Sequence, residues 1–116
     1  MKKVSLMVLS VMFLGLMITP LAIAEKAEDN YKLYCVQCHG SKGSGGGINA
    51  AALSTAPRDH TSATEMKKLS DDNIFTAIKE GGAAVSKSTF MPPWKSILTD
   101  DEIKDLVKHL HKLCNC

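Results

Sequence analysis

Cys35-Val36-Gln37-Cys38-His39 constrains this chain more than any other stretch. Two cysteines three apart, followed at once by histidine, form the attachment signature of a c-type haem. The spacing has a chemical reason. Thiols one helical turn apart can each add to a different vinyl group of one porphyrin, and the next residue then lies under the iron. There a neutral imidazole can ligate the metal from the proximal side. The motif predicts haem c held by Cys35 and Cys38, with His39 as an iron ligand.

Other chemistries use the same cysteine spacing. A thioredoxin-like redox site calls for a preceding strand and a βαβ pattern, and neither is visible. A zinc site needs a second ligand pair. Cys114 and Cys116 supply two more thiols, but closed zinc sites usually pair C-x-x-C with a similar knuckle, and His39 would be left without a role.

The first 24 residues read as an export signal. Lys2 and Lys3 precede an apolar run from Val4 to Ile18, Pro20 breaks the run, and Ala22-Ile23-Ala24 is a small-residue cleavage site. An uncleaved anchor is the alternative, because Val4 to Ala24 is barely long enough to span a bilayer. Cleavage after Ala24 leaves residues 25–116 as one small domain, free of the membrane and placed in the periplasm. Losing Lys2 and Lys3 reduces the 14 basic residues to 12, which matches the 12 acidic ones. A neutral surface argues against a nucleic-acid partner. So small a domain is marginal on its own apolar core, and a covalent haem is expected to complete it.

The periodicity of the domain is helical throughout. Residues 25–36 place Tyr31, Tyr34 and Cys35 on one face, and Gly40 is a C-terminal cap. The glycines from Gly40 to Gly47 lack the lysine and hydroxyl ending of a phosphate loop, so they are expected to wrap closely around a flat cofactor. Ser62 and Glu65 form a prospective capping box for a short helix. Ser70 caps a clearer helix, with Ile74 and Ile78 on one face and Gly81-Gly82 at its end. Residues 83–96 read as a loop stiffened by Pro92 and Pro93. Thr99 and Glu102 cap a last helix whose apolar stripe is Ile103, Leu106, Val107 and Leu110. With no alternating strand-like runs, the fold class is all-α, about four helices.

These parts together resemble a small bacterial class I cytochrome c across Asn30 to Leu113. The resemblance rests on the attachment motif with its following glycines, the loop at Pro57, Met91-Pro92-Pro93-Trp94 and the amphipathic last helix. It implies one covalent haem among the helices, with His39 and Met91 as axial ligands. A carbonyl near Pro57 is implied as acceptor for the other ring N–H of His39. Met66 is the second methionine of the predicted mature chain. It lies in the charged run Glu65-Met66-Lys67-Lys68, 27 residues past His39 (66 − 39) against 52 for Met91 (91 − 39).

The resemblance implies one-electron transfer between a membrane or periplasmic donor and a terminal reductase or oxidase. With both axial positions closed, the iron has no open site for a substrate, so a carrier is expected rather than an enzyme. A haem enzyme or gas sensor is the alternative if Met91 does not bind. A subunit of a larger redox complex is another. Lys42, Lys87 and Lys95 flank the predicted ligands and are candidates for steering an acidic partner. The ending His109-Leu110-His111-Lys112-Leu113-Cys114-Asn115-Cys116 departs from the family pattern. His109 and His111 point to different sides of a helix, and only His111 and Cys114 share a face. In an exported protein a disulfide, within the tail or between molecules, is expected there before a metal site. His60 is expected at the surface or against a haem propionate.

Overall fold

The computed structural model describes residues 20–116. The expected export signal falls on residues 1–19, outside the described residues, apart from positions 20–24. Among the described residues there are five α-helices and no strand. They are α1 (Pro20–Tyr34), α2 (Val36–His39), α3 (Ala63–Met66), α4 (Asp71–Glu80) and α5 (Asp100–Cys114), with α2 and α3 single turns. None of these helices is long and apolar enough to cross a membrane.

Helix α5 is the hub, with α1, α3 and α4 all packing against it. Its start follows from Thr99. The Glu102 amide donates to Thr99 Oγ1 at 3.3 Å, while the Thr99 amide donates to Glu102 Oε2 at 2.8 Å, a complete capping box. The predicted stripe is buried as expected, and it continues one turn further to Cys114. Ile103 and Leu106 are among the most deeply buried side chains. Each contributes about 1.5–3 kcal/mol of transfer free energy. Past α5 the chain reverses in a Schellman turn. Asn115 is left-handed at φ 50, its amide donates to the Lys112 carbonyl, and the Cys116 amide donates to that of His111.

Three sequence expectations change in detail. The first helix does not run smoothly into the attachment motif: α1 stops at Tyr34, Cys35 sits in a turn, and α2 begins at Val36. The Ser62 box is half made. The Glu65 amide donates to Ser62 Oγ, but the Glu65 carboxylate pairs with Lys68 and Arg58 instead of returning to the cap. Residues 82–85, at the start of the expected loop, form a 3₁₀ turn packed on α4.

Helix α4 begins and ends as its sequence dictates. The Asn73 amide donates to Ser70 Oγ at 3.1 Å, Asp71 and Asp72 occupy the first turn, and Gly81 ends it at φ 87. Lys79 reaches Asp100 at 2.9 Å, so the end of α4 is tied to the start of α5.

Candidate functional site

One wall of the site is α2 with the loop that follows it. The Cys38 and His39 amides both donate to the Cys35 carbonyl, which holds the attachment motif in one tight turn. A single-turn helix leaves its last carbonyls without partners. The glycine loop supplies them: the amides of Gly45, Gly47 and Asn49 donate to the carbonyls of His39, Cys38 and Gln37. A Cβ on Gly47 would collide with the Gln37 carbonyl, and one on Gly45 would stand 2.7 Å from that of Pro57. The close approach expected of these glycines is therefore to backbone. Gly40 to Gly47 do not line the cavity described below.

His39 is fixed by the same neighbourhood. Its Nδ1 lies 2.9 Å from the Arg58 carbonyl oxygen, one residue beyond the implied Pro57. A carbonyl only accepts, so Nδ1 carries the proton and Nε2 keeps a free lone pair. Burial holds the His39 pKa below its usual value, against the pull of that hydrogen bond, and favours the neutral ligating form.

His60 is not at the surface, one of the two places expected for it, but among the residues lining the cavity described below. It is buried, stacked on the His39 ring at 4.1 Å between centroids, with Nδ1 3.0 Å from the Tyr31 hydroxyl. Burial first, then the neighbouring His39, push its pKa down to about 3, so it stays neutral at ordinary pH. Its backbone amide is anchored on the Gly43 carbonyl. Nothing in a lone histidine after Pro57 signals this, because the burial comes from loops distant in sequence.

The other wall is the segment around Met91. The Gly82 amide donates to the Met91 carbonyl at 2.9 Å, and the Trp94 amide donates to that of Ile78 at 3.0 Å. These bonds bracket Pro92 and Pro93, which have no amide hydrogen to offer. Gly81 and Gly82 are required here, since a Cβ on Gly81 would stand 3.0 Å from the Met91 carbonyl oxygen. Trp94 packs on Tyr34 with ring centroids 5.2 Å apart.

Between the walls lies a cavity of about 880 Å³. That is within the roughly 300–1,000 Å³ typical of cofactor sites. Cys35, Cys38, His39 and Met91 all line it. So does Met66, which is 1% exposed in the core; the charged residues around it do not carry it to solvent. Burial, followed by the nearby Cys38, raises the Cys35 thiol to about 12. A redox-active or metal-binding cysteine needs the opposite shift. Among the described residues, the donors gathered closely enough for a metal ion are His111, Cys114 and Cys116, without either motif cysteine. An apolar cavity with two thiols, an imidazole with a free Nε2 and a thioether fits a covalently held haem.

A sequence profile described as cytochrome c oxidase, cbb3-type, subunit III matches residues 22–110. The chain belongs to this family. It is a small class I cytochrome c that binds haem c covalently and carries electrons. Two solved structures agree in fold. A c-type cytochrome, KustC0563, superposes with a TM-score of 0.60 at 29% identity, covering 75% of this chain and 95% of its own. A chain of the Kuenenia stuttgartiensis reducing HAO-like protein complex Kustc0457/Kustc0458 superposes with a TM-score of 0.61 at 27% identity. That match covers 77% of this cytochrome and 41% of the longer chain. Among curated proteins, none matches the sequence significantly.

Proposed function

We propose that Cys35 and Cys38 bind the haem through two thioethers, that His39 and Met91 are its axial ligands, and that the cytochrome is a periplasmic carrier rather than an enzyme. The observation that carries this reading is the convergence of both thiols, the oriented His39 imidazole and the Met91 segment on one cavity. The haem iron supplies the chemistry, gaining and losing a single electron. The protein's own groups set its terms. The Arg58 carbonyl orients His39 and raises its basicity. The Met91 thioether favours the reduced state and raises the potential relative to a second histidine. With His39 and Met91 both holding the iron, no place would be left there for a substrate.

Met91 is favoured over Met66 by its setting. Its loop is held at both ends by backbone hydrogen bonds and stiffened by two prolines. Met66, the last residue of the single-turn α3, is buried in the core cluster on the same cavity, in a segment with no proline to stiffen it. Met91→Ala is expected to let the reduced protein bind carbon monoxide and to abolish the long-wavelength methionine-to-ferric-iron band. Met66→Ala should do neither. The reverse pattern would give the axial role to Met66.

Export rests on the leader pattern of residues 1–24. Processing after Ala24 would keep the buried residues described in α1, since Ala27, Asn30 and Tyr31 all lie beyond the cut. Donor and acceptor are then redox proteins, with a terminal reductase or oxidase downstream. Membership of the family described above and the likeness to a chain of a protein complex support a second reading, a subunit with a permanent partner. Size-exclusion of native extract separates the two: a carrier elutes as a small free protein, a subunit with its complex.

A further inference from the structure

The electron-carrying site leaves the far end of α5 unused, and the chain builds something there. Cys114 and Cys116 form a disulfide within the tail. Cys114 is buried at the end of the apolar stripe, while His111 and Cys116 are half-buried. The ligating atoms of all three lie within 4.8 Å of one another. The Schellman turn, not the helix, makes this possible. On a continuing helix Cys116 would point away from His111. The left-handed Asn115 folds it back, so that its Sγ lies 3.9 Å from His111 Nδ1.

The histidine is also prepared. His111 Nε2 lies 2.7 Å from Asp71 Oδ1 at the start of α4. A carboxylate there holds the proton on Nε2 and leaves the Nδ1 lone pair facing the sulfurs. Carboxylate–histidine pairing of this kind orients metal-bound imidazoles.

We propose that the tail is a redox-gated zinc site, in which His111, Cys114 and Cys116 bind one zinc ion once the Cys114–Cys116 disulfide is opened. The opening step is an exchange with a dithiol reductant. Two electrons pass from the dithiol, which becomes a disulfide, and its two protons end on the freed Cys114 and Cys116 thiols. Zinc then displaces both protons to solvent, and water completes a four-coordinate site. Zinc–sulfur bonds of about 2.3 Å and zinc–nitrogen bonds of about 2.0 Å place tetrahedral donors about 3.5–3.8 Å apart. The 3.9 Å between Cys116 and His111 already approaches this. The two sulfurs must separate, and the Cys114 sulfur, within 4.8 Å of the imidazole donor, must settle at the same tetrahedral spacing, by movement of the turn that follows α5. In the oxidised form the sulfurs are bonded to each other and the donor set is closed.

The test uses the haem-loaded full chain, with the tail disulfide reduced by a dithiol that is then removed without air. Dialysis against zinc ion, followed by elemental analysis, gives zinc per haem iron. The reduced chain should hold one zinc per iron, and the oxidised chain should bind at least about tenfold more weakly. Cys116→Ser and His111→Gln should each weaken binding by about tenfold or more. Asp71→Asn, an exposed change, should weaken it about 10- to 100-fold by loosening the imidazole. The haem spectrum and helix content of every variant should match the parent, which separates loss of the site from loss of the fold. Equal zinc binding by oxidised and reduced chains, no binding by the reduced chain, or full affinity in His111→Gln overturns the proposal.

Discussion

His39 stands at the end of a short line of side chains, with His60 stacked on its ring and the Tyr31 hydroxyl bonded to His60. Tyr31 and His60 are buried and His39 is half-buried, so their polar atoms depend on each other. Tyr31 is 3% exposed, and its phenol is pushed above its usual pKa chiefly by burial. Tyr31→Phe removes one hydroxyl and leaves His60 Nδ1 buried without that partner. The expected cost is about 1–3 kcal/mol in chemical denaturation, with the haem spectrum unchanged. A denaturation midpoint equal to the parent's would mean that the bond contributes nothing. Of this line, His39 was legible because chemistry fixes it to the cysteines. The Arg58 carbonyl was legible to within one residue through the family resemblance. His60 was not, because its partners Tyr31 and Gly43 come from separate segments and no local pattern joins them.

At the scale of single elements, caps and stripes were the most legible features, since each is written in adjacent residues. Ser70, Thr99 and Glu102 do what their spacing dictates. The glycine loop was misread in its target, because sequence reveals that a backbone comes close to something but not to what. Its contact with α2 gives a paired test. Gly47→Ala drives a methyl into the Gln37 carbonyl, backbone against backbone, whereas a Cβ on Gly46 has only Ser44 Oγ at 4.0 Å. Gly47→Ala should cost about 1–3 kcal/mol, as overpacking does. Gly46→Ala should stay within about 0.5 kcal/mol. Equal effects would show that the loop moves freely off α2.

Glu102 gives α5 a pH signature. The Thr99 amide is the largest cause, ahead of Lys26 and the Thr99 hydroxyl, of a carboxyl pKa lowered from 4.5 to about 2. A depressed folded-state pKa contributes stability that is fully present above 4.5 and is lost as pH falls through 2. Glu102→Gln keeps an acceptor for the Thr99 amide but cannot titrate. Its stability should therefore fall less steeply than the parent's between pH 4.5 and 2, as followed by helix content in urea. Parallel slopes would remove Glu102 from the acid transition.

For the whole molecule, the decisive feature is where the core sits. Six of the ten residues in the core cluster, Tyr31, Met66, Ile74, Ile78, Leu106 and Leu110, also line the cavity. They pack on one another and also face the cavity proposed for the haem. Ile103, Val107, Leu98 and Cys114 pack without it, which is too little for a domain of this size to rest on. The Met91 segment borders the same space, with Met91 and Trp94 packed against the edge of the core cluster. Removing both attachment points should therefore remove more than a cofactor. Cys35→Ser with Cys38→Ser is expected to leave a chain with most of its far-ultraviolet helix signal lost and no cooperative thermal transition. Single serine changes, each keeping one thioether, should retain helix and red colour but unfold at lower temperature. Full helix content with a sharp transition in the double variant would show that α1, α4 and α5 support one another around an empty centre, and the haem would then be a guest in the fold rather than its core.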